Sequence, residues 1–277
     1  MVVDAHHHLW DPAHREYPWM AGDELAPIRR RFDGGDLKPL LDAGGIDRSV
    51  VVQTVSSLKE TREFLQAAAD NDFLAGVVGW VDLTEGAVAK TLAGLKQSKG
   101  GSFLVGIRHQ VHDEPDPEWL LREDVQNGIA AVGEAGLAYD VLVRTRELPA
   151  ALETVKRHPD MRFVIDHAAK PRIAAGPRDE AWEKALAPLA DYTNVTCKLS
   201  GLVTEADWQT WTPQQLEPYV NRVLEWFGPE RCMFGSDWPV CLLAAPYADV
   251  LKAMRSIAGD DANIFGGTAT RVYGLTN

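Results

Sequence analysis

Cysteine is scarce in this chain, with three in 277 residues. Cys197, Cys232 and Cys241 are odd in number and show no CxxC spacing, which argues against a disulfide framework and fits a reducing cytoplasm. Positive charge is in deficit: 28 Lys and Arg stand against 40 Asp and Glu, a formal net charge of −12. A surface that acidic repels phosphate backbones and anionic lipid, so neither nucleic acid nor membrane is an expected partner, although positive charge focused in a pocket would still hold an anion. Long apolar runs are missing, since the longest, around residues 74–81, is far too short to span a bilayer. The opening MVVDAHHH has no basic and no apolar leader region, so no signal peptide is read there. No low-complexity linker, charge block or shift of composition marks a domain boundary.

What is present is a regular alternation. Eight short apolar runs rich in β-branched residues fall at 2–6, 49–54, 74–81, 104–109, 139–143, 162–167, 194–200 and 232–237. Amphipathic stretches separate them, at 37–43, 60–71, 88–97, 119–134, 148–157, 180–190 and 214–227, and one more follows at 248–257. Strict β-then-α order implies a parallel sheet with helical crossovers. Eight repeats in a chain near the roughly 250 residues typical of a (β/α)8 fold predict closure into a barrel. The expected fold class is therefore α/β, a TIM-type barrel with residues 1–277 as a single domain. Residues 15–35, which include Arg29, Arg30 and Arg31, read as a long first βα loop over the catalytic mouth.

Polar residues cluster at the C-terminal ends of the apolar runs: His6 and His8, Gln53, Arg108 and His109, Asp166 and His167, Lys198 and Ser200, Ser236 and Asp237. A barrel brings all those ends to one rim, where its active sites lie. Side chains two apart on a strand share a face, so Asp4, His6 and His8 are expected on one side and Val3, Ala5 and His7 on the other. The same alternation places Lys198 inside the barrel, a costly position for an ammonium without a partner or substrate. His-x-His aims two imidazoles at one point, a natural grip for a divalent ion such as zinc. Asp237 would add a third ligand from the adjacent last strand, and His167 a fourth ligand or a group that polarises substrate. A carboxylate beside such an ion orients water and accepts its proton. Each residue alone has a plainer reading: a turn cap for Asp237, a satisfied core histidine for His167, ion-pair partners for Arg108 and Lys198. The functional reading rests on their convergence. His7, His14, His112 and His158 are set aside as ligands, and Cys241 reads as a buried, inert thiol.

These residues carry a resemblance. DAHHHLWDP, GIRHQVHDEPDP, FVIDHAAKP, NVTCKLSGLVTEADW, RCMFGSDWPV and FGGTATRVYGL run nearly end to end and resemble the amidohydrolase superfamily, in the sugar-lactonase branch that holds L-fuconolactonases and L-rhamnonolactonases. The resemblance implies hydrolysis of a sugar lactone to the aldonic acid, with a small molecule as partner. It implies Asp237 as general base, with His6, His8 and His167 around the carbonyl or the metal. Arg108 and Lys198 would bind the carbonyl or the sugar hydroxyls, Trp238 would pack on the ring, and His109 and Trp10 would be further substrate contacts. Two positions depart from the family pattern: His7 and His112 stand where Gln is common. The fifth run, YDVLV, lacks the bridging lysine of binuclear members, so at most one divalent ion is expected; zinc suits the donors, and some relatives work without a metal. A decarboxylase or C–C hydrolase acting on an aromatic acid shares the His-x-His, His and Asp set, and an inactive barrel that binds a sugar acid is a reading of another class. Homo-oligomerisation is left open by the sequence.

Overall fold

The computed structural model describes residues 1–276. Eight parallel strands follow one another around a barrel in chain order: β1 Val3–His7, β2 Arg48–Val52, β3 Leu74–Gly79, β4 Leu104–Gln110, β5 Ala138–Leu142, β6 Phe163–Ile165, β7 Val195–Leu199 and β8 Cys232–Phe234. The ring closes between the first and last strands. Asp237 N–H donates to the His6 carbonyl at 2.8 Å and His8 N–H to the Trp238 carbonyl at 2.6 Å. The helices α1 Gly34–Gly44, α2 Leu58–Asp70, α3 Val88–Gln97, α4 Glu123–Glu134, α5 Leu148–Arg157, α6 Glu180–Leu186, α7 Pro213–Phe227 and α8 Tyr247–Ala258 follow the strands in turn, and α9 Thr268–Tyr273 ends the fold.

Local sequence explains several boundaries. Asp33 caps α1 in a reciprocal box with Asp36, and Thr212 and Gln215 do the same for α7, where Pro213 occupies the first turn that needs no N–H. The stretch expected as one helix over 119–134 splits into a 3-10 turn at Trp119–Leu121 and α4. Helix α9 was not anticipated.

Alternation on the strands divides two apolar clusters. Val51, Val77, Ile107, Tyr139, Ile165, Cys197 and Phe234 pack outward in the main core. Val50, Val52, Val78, Ala138, Val164 and Met233 face inward and join Ala269, Tyr273 and Leu275, so α9 plugs the barrel from the end opposite the strand C-termini. Apolar burial of this kind stabilises by roughly 25 cal/mol per Å², which is why a chain of modest hydrophobicity still fixes a large interior.

Strand β1 breaks the expected parity. Between Asp4 and His7 the register against β2 slips by one residue, a bulge. Val3 and Ala5 lie in the inner apolar cluster. Asp4 turns outward instead, where it accepts from Ser236 N–H at 2.9 Å and from the Tyr247 hydroxyl of α8 at 3.2 Å. The bulge then returns His6 to the interior, so Asp4 and His6 do not share a face.

Candidate active site

The barrel interior is layered. Above the apolar plug lies a band of four buried charges: Arg108 from β4, Asp140 from β5, Asp166 just past β6 and Lys198 from β7, each at most 3% exposed. Lys198 Nζ lies 2.5 Å from Asp140 Oδ2 and 3.0 Å from Asp166 Oδ1. Arg108 pairs with Asp166 at 2.9 Å. Two cations balance two anions, which is what makes their burial tolerable. Burial alone would raise the Asp166 carboxyl, but Lys198, His6 and Arg108 around it hold it well below the usual carboxylate range.

The reactive cluster sits on this band. His6 Nε2 and His8 Nε2 are 3.2 Å apart, and Asp237 Oδ1 lies 3.2 Å from His8 Nε2 and 3.8 Å from His6 Nε2. His167 Nε2 is 3.9 Å from the same oxygen. His8 Nδ1 bonds the Val52 carbonyl at 2.8 Å. A carbonyl only accepts, so that bond fixes the proton on Nδ1 and leaves a lone pair on Nε2. His6 presents Nδ1 to Asp166 Oδ1 at 3.4 Å, the same kind of orienting contact. Four ligands held tetrahedrally at about 2.0–2.1 Å stand about 3.3 Å from one another. The 3.2, 3.2 and 3.8 Å separations of His6, His8 and Asp237 fit that geometry, so the three side chains form a group able to hold a metal ion.

Backbone strain is concentrated here. Among the described residues, every non-glycine with positive φ is at the site: His167, Ala168, Ala169, Lys170 and Asp237. A left-handed residue of this kind costs roughly 1–2 kcal/mol, so the five together approach the net stability of a domain, about 5–15 kcal/mol. Specific contacts offset that cost. Trp182 Nε1 donates to the Ala168 carbonyl at 2.6 Å, and Lys170 pairs with Glu205 at 2.8 Å. Gly201, itself at φ +62°, lets the loops approach: a Cβ there would lie 2.5 Å from His167 Nδ1 and 3.1 Å from Asp237 Oδ2.

Burial lowers the His167 imidazole to about 4 although Asp237 opposes the shift, so it is neutral at ordinary pH, with Nδ1 bonded to the Ser200 hydroxyl at 2.9 Å. Burial would raise the Asp237 carboxyl, yet His167, His8 and His6 together hold it far below its ordinary range. It is ionised at ordinary pH, free to accept a proton.

A pocket of about 160 Å³ opens onto the cluster, lined by His8, Arg108, His167 and Asp237 below and by Trp19, Gln110, His112, Asp113 and Lys170 around it. Other cavities are larger, including one of about 410 Å³ beside Trp10 and Phe64, but they hold none of the converging groups. Chemistry rather than volume identifies the site.

Residues 3–275 match the family model described as Amidohydrolase. The chain belongs to the amidohydrolase family. Among curated proteins, this amidohydrolase is 41% identical to an L-fucono-1,5-lactonase of Burkholderia ambifaria over 98% of this chain and 94% of that one. It is 38% identical to an L-fucono-1,5-lactonase of Burkholderia multivorans, over 99% and 96%. A crystal structure of an amidohydrolase from Burkholderia multivorans with bound zinc superposes with a TM-score of 0.92 at 37% identity, covering both chains fully.

The structure gathers His6, His8, His167, Asp237 and Arg108 from four separate segments. It does not bring the four residues expected to bind substrate to the pocket wall. Lys198 lies beneath His6 and is consumed by Asp140 and Asp166. Trp238 is buried edge-on against Phe32, with ring centroids 5.3 Å apart. His109 faces outward, stacked on Trp119 at 4.2 Å and bonded to Glu114. Trp10 donates to the Ile28 carbonyl within the first loop. Arg108 does touch the pocket, but its Nε and Nη2 go to Gln53 and its Nη1 to Asp166, with His6 Nε2 at 3.3 Å. It offers a fixed charge rather than free hydrogen bonds. Trp19, Asp113 and Lys170 were missed, because residues on the loops that cover a barrel carry no strand or helix period, and Gln110, the last residue of β4, falls one position beyond the run read as 104–109. Asp140 had a legible signal, a lone carboxylate within an apolar strand.

Proposed function

We propose that this amidohydrolase hydrolyses a sugar lactone of the L-fucono-1,5-lactone kind to its aldonic acid. The observation that carries the reading is the convergence of His6, His8 and Asp237 within 3.2–3.8 Å at the floor of a polar pocket; the two lactonases similar over nearly the whole chain supply the substrate class. The pocket, at about 160 Å³, is smaller than the roughly 300–1,000 Å³ common for ligand clefts, which suits one small ring rather than an oligosaccharide.

A divalent ion held by His6, His8 and Asp237, zinc by the nature of the donors, would supply Lewis acidity to the carbonyl and a more acidic water. The protein's own groups do the rest. Asp237 orients the water and takes its proton; its Oδ2 has no hydrogen bond among the described residues. The water oxygen bonds the lactone carbonyl carbon. With Nδ1 accepting from Ser200, the neutral His167 turns Nε2–H toward the carbonyl oxygen and stabilises the oxyanion, with the fixed charge of Arg108 nearby. The ring C–O bond then breaks, and the proton on Asp237 passes to the departing alkoxide.

A panel of sugar lactones in weak buffer with a pH indicator, with and without chelator, tests the reaction. Asp237→Asn is expected to lower kcat by about 10²–10⁴-fold with circular dichroism unchanged. Near-normal kcat in that variant removes the base assignment, and carbon dioxide release from an aromatic acid without lactone turnover removes the reaction.

A further inference from the structure

The segments that carry His6 and Asp237 meet at a seam without a ladder. Among the described residues no run of paired positions joins β1 to β8; a single bridge, His7 to Trp238, forms after β8 has ended at Phe234. Asp237 has left-handed backbone at φ +57°, a conformation that persists only where its surroundings over-determine it. Gly235 lets the two segments close up: a Cβ on it would lie 2.5 Å from His6 Cβ and 3.1 Å from His6 N.

A side chain takes the place of the missing ladder. Asp4, fully buried on β1, accepts through Oδ1 from Ser236 N–H at 2.9 Å and from His6 N–H at 3.2 Å. One oxygen therefore holds the backbone of His6 and that of the residue before Asp237. Its Oδ2 accepts from the Tyr247 hydroxyl at 3.2 Å, so α8 fixes the carboxyl group in turn. Ser236 extends the clasp, its hydroxyl accepting from Trp238 N–H at 3.0 Å.

We propose that Asp4 is a positioning residue: by clasping the two segments it sets the spacing of His6 against Asp237, and with it the affinity of the ion site. It acts through its neighbours rather than on substrate, and the acceptor geometry of Oδ1 does the positioning, not the charge. The inference rests on the ion site of the proposed function and not on the lactone. Groups that orient metal ligands from behind govern metal affinity by about 10–100-fold.

Zinc affinity, read by competition with a chromogenic chelator, is measured on wild type, Asp4→Ala, Asp4→Asn and Tyr247→Phe, beside urea unfolding of the metal-free proteins and lactone turnover. Asp4→Ala should weaken zinc binding by about 10–100-fold. Asp4→Asn should bind zinc as wild type does, because its amide oxygen still accepts both N–H bonds and its amide nitrogen donates to Tyr247. Tyr247→Phe, which keeps the ring and releases Oδ2, should weaken zinc binding about tenfold, and it is the deciding variant if Asp4→Ala does not fold. A deciding variant that loses stability in urea yet binds zinc as wild type does makes Asp4 merely structural and overturns the proposal. An Asp4→Asn variant that loses about tenfold in zinc affinity, or a wild type that binds no zinc, overturns it too. The expected order of affinities without lactone hydrolysis upholds the clasp and refutes the reaction. Lactone hydrolysis with zinc affinity unchanged in the deciding variant overturns this proposal alone.

Discussion

Lys198→Met removes one of the two cations from the buried band while keeping a side chain of similar length. In the wild type Arg108 and Lys198 balance Asp140 and Asp166 with almost no solvent access. Without the ammonium one carboxylate has no counter-charge, and breaking a buried pair in this way costs about 3–5 kcal/mol. That is a large share of a domain's net stability of about 5–15 kcal/mol. The pH dependence has a definite sign. Burial outweighs the pull of Lys198 on Asp140 and raises its carboxyl from 3.8 to about 6, and losing Lys198 raises it further. A carboxyl with a raised folded pKa destabilises the fold where it must be ionised, above that pKa; as pH falls through it the folded state takes up a proton and the penalty shrinks. The variant should therefore lose about 3–5 kcal/mol near pH 8 and only about 1–2 kcal/mol near pH 5.5, where a neutral carboxyl is left with an unmade hydrogen bond. Urea unfolding of both proteins in one metal-free buffer at the two pH values measures the difference. A loss at high pH under about 1 kcal/mol, the size of an exposed pair, or a loss that grows on acidification would refute this account of the layer.

Other perturbations address the neighbouring layers. Gly201→Ala drives a methyl to 2.5 Å from His167 Nδ1 at a left-handed position, so kcat should fall by about 10²-fold or more with the helical spectrum retained; normal turnover would mean the two loops are not packed to contact. Tyr273→Phe removes a 2.7 Å hydrogen bond to the Asp140 carboxylate and should lower stability by about 1.5–3 kcal/mol in urea, with no change if α9 merely caps the barrel. Zinc at about a hundredfold over its Kd should stabilise the chelated protein by about 2.7 kcal/mol in a thermal melt, and His8→Ala should abolish the gain; an equal gain in that variant would place the ion elsewhere.

Much of the site was legible because its chemistry lies on or beside regular elements. His6 and His8 stand at the end of one apolar run, and His167 and Asp237 at the ends of two others, so the alternation of segments alone brought them to one rim. Strand parity worked where the strand was regular, as on β7, where Thr196 and Lys198 face in and Val195 and Cys197 face out. It failed on β1, because a one-residue bulge is set by pairing with β2 and leaves no mark in the pattern of side chains. The runs read as 162–167 and 232–237 also overran β6 and β8, which end at Ile165 and Phe234. His167 and Asp237 are aimed by left-handed backbone beyond those strands.

The sequence by itself determined the architecture, since eight apolar runs separated by amphipathic ones leave a parallel barrel as the way to bury both faces of every strand. It also determined which reactive side chains share a rim. Only the tertiary structure decided how each is used. Arg108 and Lys198 read as substrate contacts in the chain, but the carboxylates across the barrel claim Lys198 outright and, with Gln53, nearly all the hydrogen bonds of Arg108. Trp19 falls within the long first loop and His112 is set aside as a ligand in the chain, but folding brings both residues to the pocket lining. A charge or a hydrogen bond takes its role from whatever partner stands within about 3 Å, and such partners here lie tens to hundreds of residues away along the chain.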